Sequence, residues 1–359
     1  MSLLTSSTTS QSPETQEKVC KECVQNFLQE AKLPFMFMRA PQNNDVAKLD
    51  LFANAKERNS SKPCEEIPAG LVGRLDINGK TTIEDVYNIE SIRTLQPGGL
   101  FVPNCKEKQS VAIIIPYRDR VHHLNIVLPH LHSMLQRQQL KYTIFVIELA
   151  YPTQFNRGIL ANIGFLTASQ VYDFSCYIIH DVDLLPADDR NMYKCSNNPV
   201  HLSVSNSKYG YKLPYDHYNG GIIAFTKEQY LRINGFSNAY FGWGKEDDDL
   251  HVRMMHARYK IERPDSDIGI YEELEMNDQG YKRDFTNPDN PMKDILHIRA
   301  DKRFLKDGVN RVLYTRLAVE FRPLYTWVYV NTSELSVMQM VCAIDPKLKI
   351  SLARVTLPS

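Results

Sequence analysis

A mostly parallel α/β sheet with helices on both faces is the fold class this sequence predicts, and three observations carry it. Val111–Ile115 is an unbroken apolar run closed by Pro116, as a strand buried on both faces requires. Directly after it, Leu124, Val127, Leu128, Leu131 and Leu135 recur at helical spacing and mark one apolar face. Strand-like and helix-like segments then keep alternating as far as Phe225, the pattern of crossover units rather than of consecutive hairpins.

Residues 1–60 are polar, carry the Pro41-Gln-Asn-Asn44 run and read as a tail or stem. Within them Val19, Cys23, Phe27 and Leu28 predict a helix over Lys18–Ala31. Cys64 to Cys105 is irregular, punctuated by Pro and Gly. After the first strand, the helix around Leu124–Leu135 is expected to kink at Pro129. Further strands are expected at Tyr142–Ile147, Tyr177–His180, His201–Val204 and Ile222–Phe225, with a helix over Ile159–Ala168. Thr226 and Gln229 form a capping box that opens a short helix, and Gly235 stands where a helix C-terminal glycine belongs. No G-x-G-x-x-G follows any strand, so a dinucleotide fingerprint is absent.

Composition narrows the function classes. The 359 residues hold 42 basic and 42 acidic side chains, so no electrostatic footprint for nucleic acid stands out. No run of ~18 apolar residues predicts a membrane span, and Met1–Pro13 lacks the pattern of a signal peptide. Seven cysteines are too few for a disulfide-framework miniprotein. Cys20-Lys-Glu-Cys23 is a lone C-x-x-C, which does not predict zinc. Asn59-Ser-Ser and Asn331-Thr-Ser are glycosylation acceptors only in a secretory compartment.

The chemistry gathers around Tyr218–Leu250. There a Gly242-Trp-Gly244 turn and Lys245 precede four carboxylates, Glu246 to Asp249. An aromatic face beside acids suits a sugar, whose ring stacks while its hydroxyls are bonded. The plainer reading is that the acids complement the N-terminus of a helix. His180-Asp-Val-Asp183 ends an apolar strand, where alternation puts Asp181 and Asp183 on one side. Paired carboxylates there suit Mg²⁺ or Mn²⁺; the alternative is a solvated turn. Arg118 and Arg120 leave the first strand after Pro116, and Phe155-Asn-Arg157 precedes a helix, so three arginines are available to a phosphate. Taken together these residues fit a nucleotide-sugar site.

In that order the motifs resemble the β-1,4-galactosyltransferases, inverting enzymes of the GT-A glycosyltransferase fold with a Rossmann-like central sheet. The matching segments are VAIIIPYRDR (111–120), FNRGILANIGF (155–165), DVDLLP (181–186), LPYDHYNGG (213–221) and INGF with WGKEDDD between 233 and 249. DGVN (307–310) and PLYT (323–326) follow, so the resemblance covers roughly Cys64 to Asn331. It implies a catalytic domain over 61–335, followed by a C-terminal extension at 336–359. It also implies Asp247 as catalytic base, with Pro116, Arg118, Arg120, Phe155, Arg157, Asp181, Tyr218 and Trp243 holding the donor. Tyr215, Glu246 and Asp248 would hold the acceptor. Asp183 would ligate a divalent cation, Mn²⁺ or Mg²⁺, and Cys64–Cys105 and Cys176–Cys195 would be disulfides.

The implied reaction moves galactose from UDP-galactose to the 4-hydroxyl of a terminal N-acetylglucosamine with inversion, in the Golgi lumen. Membrane association is expected only where another form of the chain carries an anchor, and a nucleic-acid partner is not expected. The other readings are transfer of N-acetylgalactosamine and a non-catalytic, sugar-binding relative. Tyr218 favours galactose, because relatives that prefer N-acetylgalactosamine tend to carry a smaller aliphatic residue there. The sequence departs from the family where a methionine and a histidine complete the metal site: Glu273 and Met276 stand there instead. Glu273 is the expected second ligand, since carboxylate is a harder donor than thioether. Lys245 replaces a family glycine. The segment from Gly269 to about Arg299 reads as a long, polar, irregular lid.

Overall fold

The computed structural model describes residues 62–75, 77, 92, 94–274 and 292–348. The helix expected at 18–31 and most of the expected lid lie outside them. The central sheet has seven strands in the order β5-β7-β3-β1-β2-β10-β9. These are β1 (Ser110–Tyr117), β2 (Lys141–Leu149), β3 (Cys176–Ile179), β5 (Val200–His201), β7 (Ile223–Thr226), β9 (Thr315–Phe321) and β10 (Thr326–Asn331). A second sheet of three short strands, β4 (Leu184–Pro186), β8 (Ile270–Glu273) and β6 (Ser205–Asn206), runs in the order β4-β8-β6.

β1 organises the whole. All eight of its residues are buried, and it pairs in parallel with β2 on one side and β3 on the other. Because strand side chains alternate, Ala112 and Ile114 enter one core while Val111, Ile113 and Ile115 enter the opposite one. Helix α1 (Val121–Arg137) covers the second face through Leu124, Val127, Leu128, Leu131 and Leu135. Helix α2 (Arg157–Val171) covers the first through Ile159, Leu160 and Ile163. α2 lies so close that a Cβ at Gly164 would stand 2.3 Å from a methyl carbon of Ile114. α1 runs on through Pro129 as one helix of 17 residues.

The order of connections places the site. α1 carries the chain from β1 to β2, and α2 carries it back over β1 to β3. The crevice beyond the C-terminal ends of β1, β2 and β3 is therefore where the winding direction reverses, the usual ligand position in such sheets. The expected mostly parallel sheet is parallel in its centre and antiparallel at both edges, where β7, β5 and β9 attach.

The strand expected at His201–Val204 is interrupted. Val200 and His201 pair with β7, then the Ser203 hydroxyl takes the Ile222 N–H at 2.9 Å, and the chain leaves to join β8. The segment 269–299 is regular at both ends, with β8 before the undescribed part and helix α5 (Lys293–Ile298) after it. Helix α3 (Lys227–Arg232) opens with both capping-box bonds, and Gly235 follows with φ +58°. The remaining helices are α4 (Glu246–His256), α6 (Ala300–Arg303) and α7 (Glu334–Ile344). α7 runs across the boundary expected at 335/336 and seats Val337 and Val341, with Leu348 beyond it, in the α2-side core. Both expected disulfides, Cys64–Cys105 and Cys176–Cys195, are formed.

Candidate active site

One cavity of about 470 Å³ at the strand ends receives every side chain expected on donor, acceptor or metal. Pro116, Arg118 and Arg120 come from the end of β1. Arg118 is buried; its guanidinium lies 4.7 Å from the Tyr151 ring centre and 5.5 Å from that of Phe155, and it donates to the Thr153 carbonyl. Arg157 opens α2, whose N-terminus favours an anion. Its Nε donates to Asp181 at 2.6 Å and its Nη2 to the Gly221 carbonyl at 2.8 Å, so β3, α2 and the 218–221 turn meet in one guanidinium.

The acidic turn is built from left-handed backbone. Gly242 (φ +81°) and Gly244 (φ +105°) flank Trp243, which is 43% exposed, and Lys245 follows at φ +72°. A glycine meets that last requirement without strain, whereas a lysine in the left-handed region costs about 1 kcal/mol or more. Its ammonium lies 3.0 Å from Asp248, which partly offsets the cost.

The four carboxylates that open α4 divide by direction. Asp249 turns inward to Arg253 (2.6 Å), Arg303 (2.8 Å) and the Tyr240 hydroxyl (3.0 Å). Burial alone would raise its pKa, but Arg253 and Arg303 hold it below the usual carboxylate range. Glu246, Asp247 and Asp248 face the cavity. Burial and then the neighbouring Asp247 push Glu246 up to about 7, and burial with Asp248 also raises Asp247. Asp249 is thus a fold contact held by Arg253 and Arg303, and three acids are left crowded around open space. Asp248 accepts the Tyr215 hydroxyl at 2.9 Å.

Gly220 forms the floor under Asp247. A Cβ there would stand 2.8 Å from Asp247 Oδ2 and 2.6 Å from the Tyr218 hydroxyl oxygen, so only glycine admits both groups. The turn that carries Tyr215 and Tyr218 is fixed from behind by Arg263, which donates to the carbonyls of Asp216 and Tyr218, each at 2.9 Å. His201 adds a 2.8 Å bond to the Gly220 carbonyl.

Residues 64–196 match the N-terminal region of glycosyl transferase group 7, and residues 200–277 match the N-terminal domain of galactosyltransferase. The mouse β-1,4-galactosyltransferase 2 is 40% identical over 279 residues, covering 76% of this chain and 73% of that protein. The chain belongs to the β-1,4-galactosyltransferase family. The mouse β-1,4-galactosyltransferase 1 is 42% identical over 271 residues, covering 75% of this chain and 66% of its own length. This chain thus spans just under two thirds of that relative. Among solved structures, a mutant of the Drosophila β-1,4-galactosyltransferase 7 in complex with manganese, UDP-Gal and xylobiose is 31% identical with a TM-score of 0.53. The match covers 63% of this chain and 94% of that one. The sheet and its crossovers are the GT-A arrangement of these galactosyltransferases.

Against the family's cation, the donor set here is short but chemically apt. Leu184, next to Asp183, is paired with Glu273 across the β4–β8 ladder, and the Leu274 N–H donates to the Asp183 carbonyl at 2.7 Å. Both carboxylates line the same cavity. Burial, then Asp181, and further down Glu273 push Asp183 up to about 6. Glu273 Oε2 is buried with no hydrogen-bond partner among the described residues. A hard divalent cation supplies what such an oxygen lacks. Among the described residues no third His, Cys, Asp or Glu converges on them, and Met276 lies outside.

Four cavity residues escaped the sequence reading: Asn206, Lys208, Tyr209 and Lys293. Lys208 donates to Glu273 at 3.0 Å, and the Lys293 ammonium lies 5.4 Å from the Trp243 ring centre. Each is a common polar or aromatic side chain on a short turn or helix start, with no spacing that marks it. Only the approach of β8 to the turn after β6 places Lys208, and only α5 places Lys293.

Proposed function

We propose that this protein is a UDP-galactose-dependent β-1,4-galactosyltransferase acting on a terminal N-acetylglucosamine of a glycoprotein or glycolipid glycan. The observation that carries the reading is the position of Asp247. Its carboxylate rests on Gly220 in the cavity that the Arg157–Asp181 pair, Arg118 and Phe155 also line. A donor with its base against Phe155 and its diphosphate against Arg118, Arg120 and Arg157 would point its sugar toward α4. Tyr215, Glu246 and Asp248 would bond the acceptor hydroxyls, with Trp243 covering a ring face.

In this reading Asp247 accepts the proton of the acceptor 4-hydroxyl as its oxygen attacks the anomeric carbon. The bond from that carbon to the UDP oxygen breaks with inversion, and UDP leaves with the electron pair. The guanidinium groups bind the charge that builds on the diphosphate. A divalent cation, Mn²⁺ or Mg²⁺, held by Asp183 and Glu273 would neutralise part of the same charge. The galactose preference rests on Tyr218, whose hydroxyl crowds Gly220 where a 2-acetamido group would need room. Two disulfides fit an oxidising compartment, for which we take the Golgi lumen, with any membrane anchor outside the described residues.

The test is UDP release from UDP-Gal and UDP-GalNAc with N-acetylglucosamine, glucose and xylose acceptors, with and without Mn²⁺. Highest turnover is expected with UDP-Gal, N-acetylglucosamine and metal. Preference for xylose would replace the acceptor, and no turnover with any pair would overturn the reading.

A further inference from the structure

Glu273, assigned above to the cation, is already engaged by a positive charge of the chain itself. Lys208 Nζ lies 3.0 Å from Glu273 Oε1, while Oε2 of the same carboxylate is buried and has no partner among the described residues. The pairing is built in. Lys208 sits in the single turn Ser207–Tyr209, where the Asn206 side chain accepts its N–H at 2.9 Å. The Ser207 hydroxyl accepts the Glu273 N–H at 2.8 Å and so ties that turn to β8. Across the β4–β8 ladder the same strand pairs Glu273 with Leu184, the residue after Asp183, and both carboxylates line the cavity. Lys208 is also 42% exposed and lines the cavity, so its four-carbon stem can turn toward a ligand.

We propose that Lys208 is an exchangeable counter-ion for Glu273. A divalent cation would enter as the ammonium moves from the carboxylate to the donor's diphosphate, which couples metal binding to donor binding. This rests on the reading above that Asp183 and Glu273 receive the cation. The reason is charge. A divalent ion at Glu273 with the ammonium still in place would put two positive charges on one carboxylate. Releasing Lys208 into water would leave a weak metal site, whereas a diphosphate gives the ammonium a new anionic partner.

The experiment is direct Mn²⁺ binding, read by the loss of the free-ion signal in electron paramagnetic resonance, with and without UDP. It compares wild type, Lys208→Ala, Lys208→Gln and Asp183→Asn, with thermal melts as the folding control. Without UDP, both Lys208 variants are expected to bind Mn²⁺ about fivefold more tightly, the equivalent of a half-exposed ion pair. UDP should tighten Mn²⁺ binding in wild type and do so less in the variants. Equal or weaker Mn²⁺ binding by the folded Lys208 variants without UDP would overturn the exchange while leaving the metal site standing. Wild-type affinity in Asp183→Asn, or no Mn²⁺ binding by wild type, would overturn the site and the exchange together.

Discussion

Asp247→Asn separates chemistry from folding in this molecule. The amide keeps an oxygen in the place of Oδ1, which accepts the Asp248 N–H at 2.9 Å, and it fits the same space over Gly220. What it cannot do is take a proton from an acceptor hydroxyl. Loss of a positioned general base typically costs ~10²–10⁴ in rate, equivalent to about 3–5 kcal/mol of transition-state stabilisation. Stability should respond in the opposite sense. Asp247 is, after burial, the largest influence raising Glu246 to about 7, so removing its charge relieves a crowded acidic cluster. The melting temperature at pH 7 should be equal to wild type or higher. UDP release with UDP-Gal and N-acetylglucosamine, run alongside thermal melts, measures both. Turnover within tenfold of wild type would refute the assignment and shift it to Glu246 or Asp248. A melting point lowered by several degrees would show that the lost rate came from the fold.

Three further outcomes follow from the same geometry. Tyr218→Leu removes the hydroxyl that crowds Gly220, so the rate ratio of UDP-GalNAc to UDP-Gal should rise at least about tenfold; an unchanged ratio would clear Tyr218 of donor selection. Because Glu246 is raised to about 7 and Asp247 is also raised, the ionised cluster is lost as pH falls, and kcat/KM should fall below about pH 7. The contribution of Glu246 to stability should run the other way: between the ordinary value of 4.5 and about 7 its native carboxyl binds the extra proton, so the melting temperature of wild type relative to Glu246→Gln should decline as pH rises. A flat rate profile from pH 5.5 to 8 would contradict this. Arg303→Met strips one of the two buried arginines from Asp249 and Asp307 behind α4 and leaves Arg253 alone with two carboxylates. It should cost about 3–5 kcal/mol, seen as a fall of roughly 10 °C in melting temperature; a fall under ~2 °C would show the network to be dispensable.

Local features follow from the order of residues alone. Five apolar residues before Pro116 could only be a strand buried on both faces, and Leu124–Leu135 could only lay one stripe against it. The alternation around them set the α/β class. The ordered motifs from 111 to 249 carried the family, and with it every expected side chain of the cavity. The tertiary structure decided what depends on segments far apart in the chain. One edge of the sheet is antiparallel because β7 hydrogen-bonds to β3, far earlier in the chain, a pairing no periodicity encodes; the other is antiparallel because β9 turns directly back into β10 as a hairpin. Asp249 could not be told from Asp247 by composition, since both are aspartates in one helical turn. Helical rotation turns Asp249 into the protein toward Arg303, which arrives from 54 residues downstream, and leaves Asp247 over Gly220. Lys208 and Glu273, 65 residues apart, become an ion pair only because β8 runs parallel to β6 and brings its carboxylate to the next turn. Charge placement of that kind is a property of chain crossing, and the fold has to be formed before it exists.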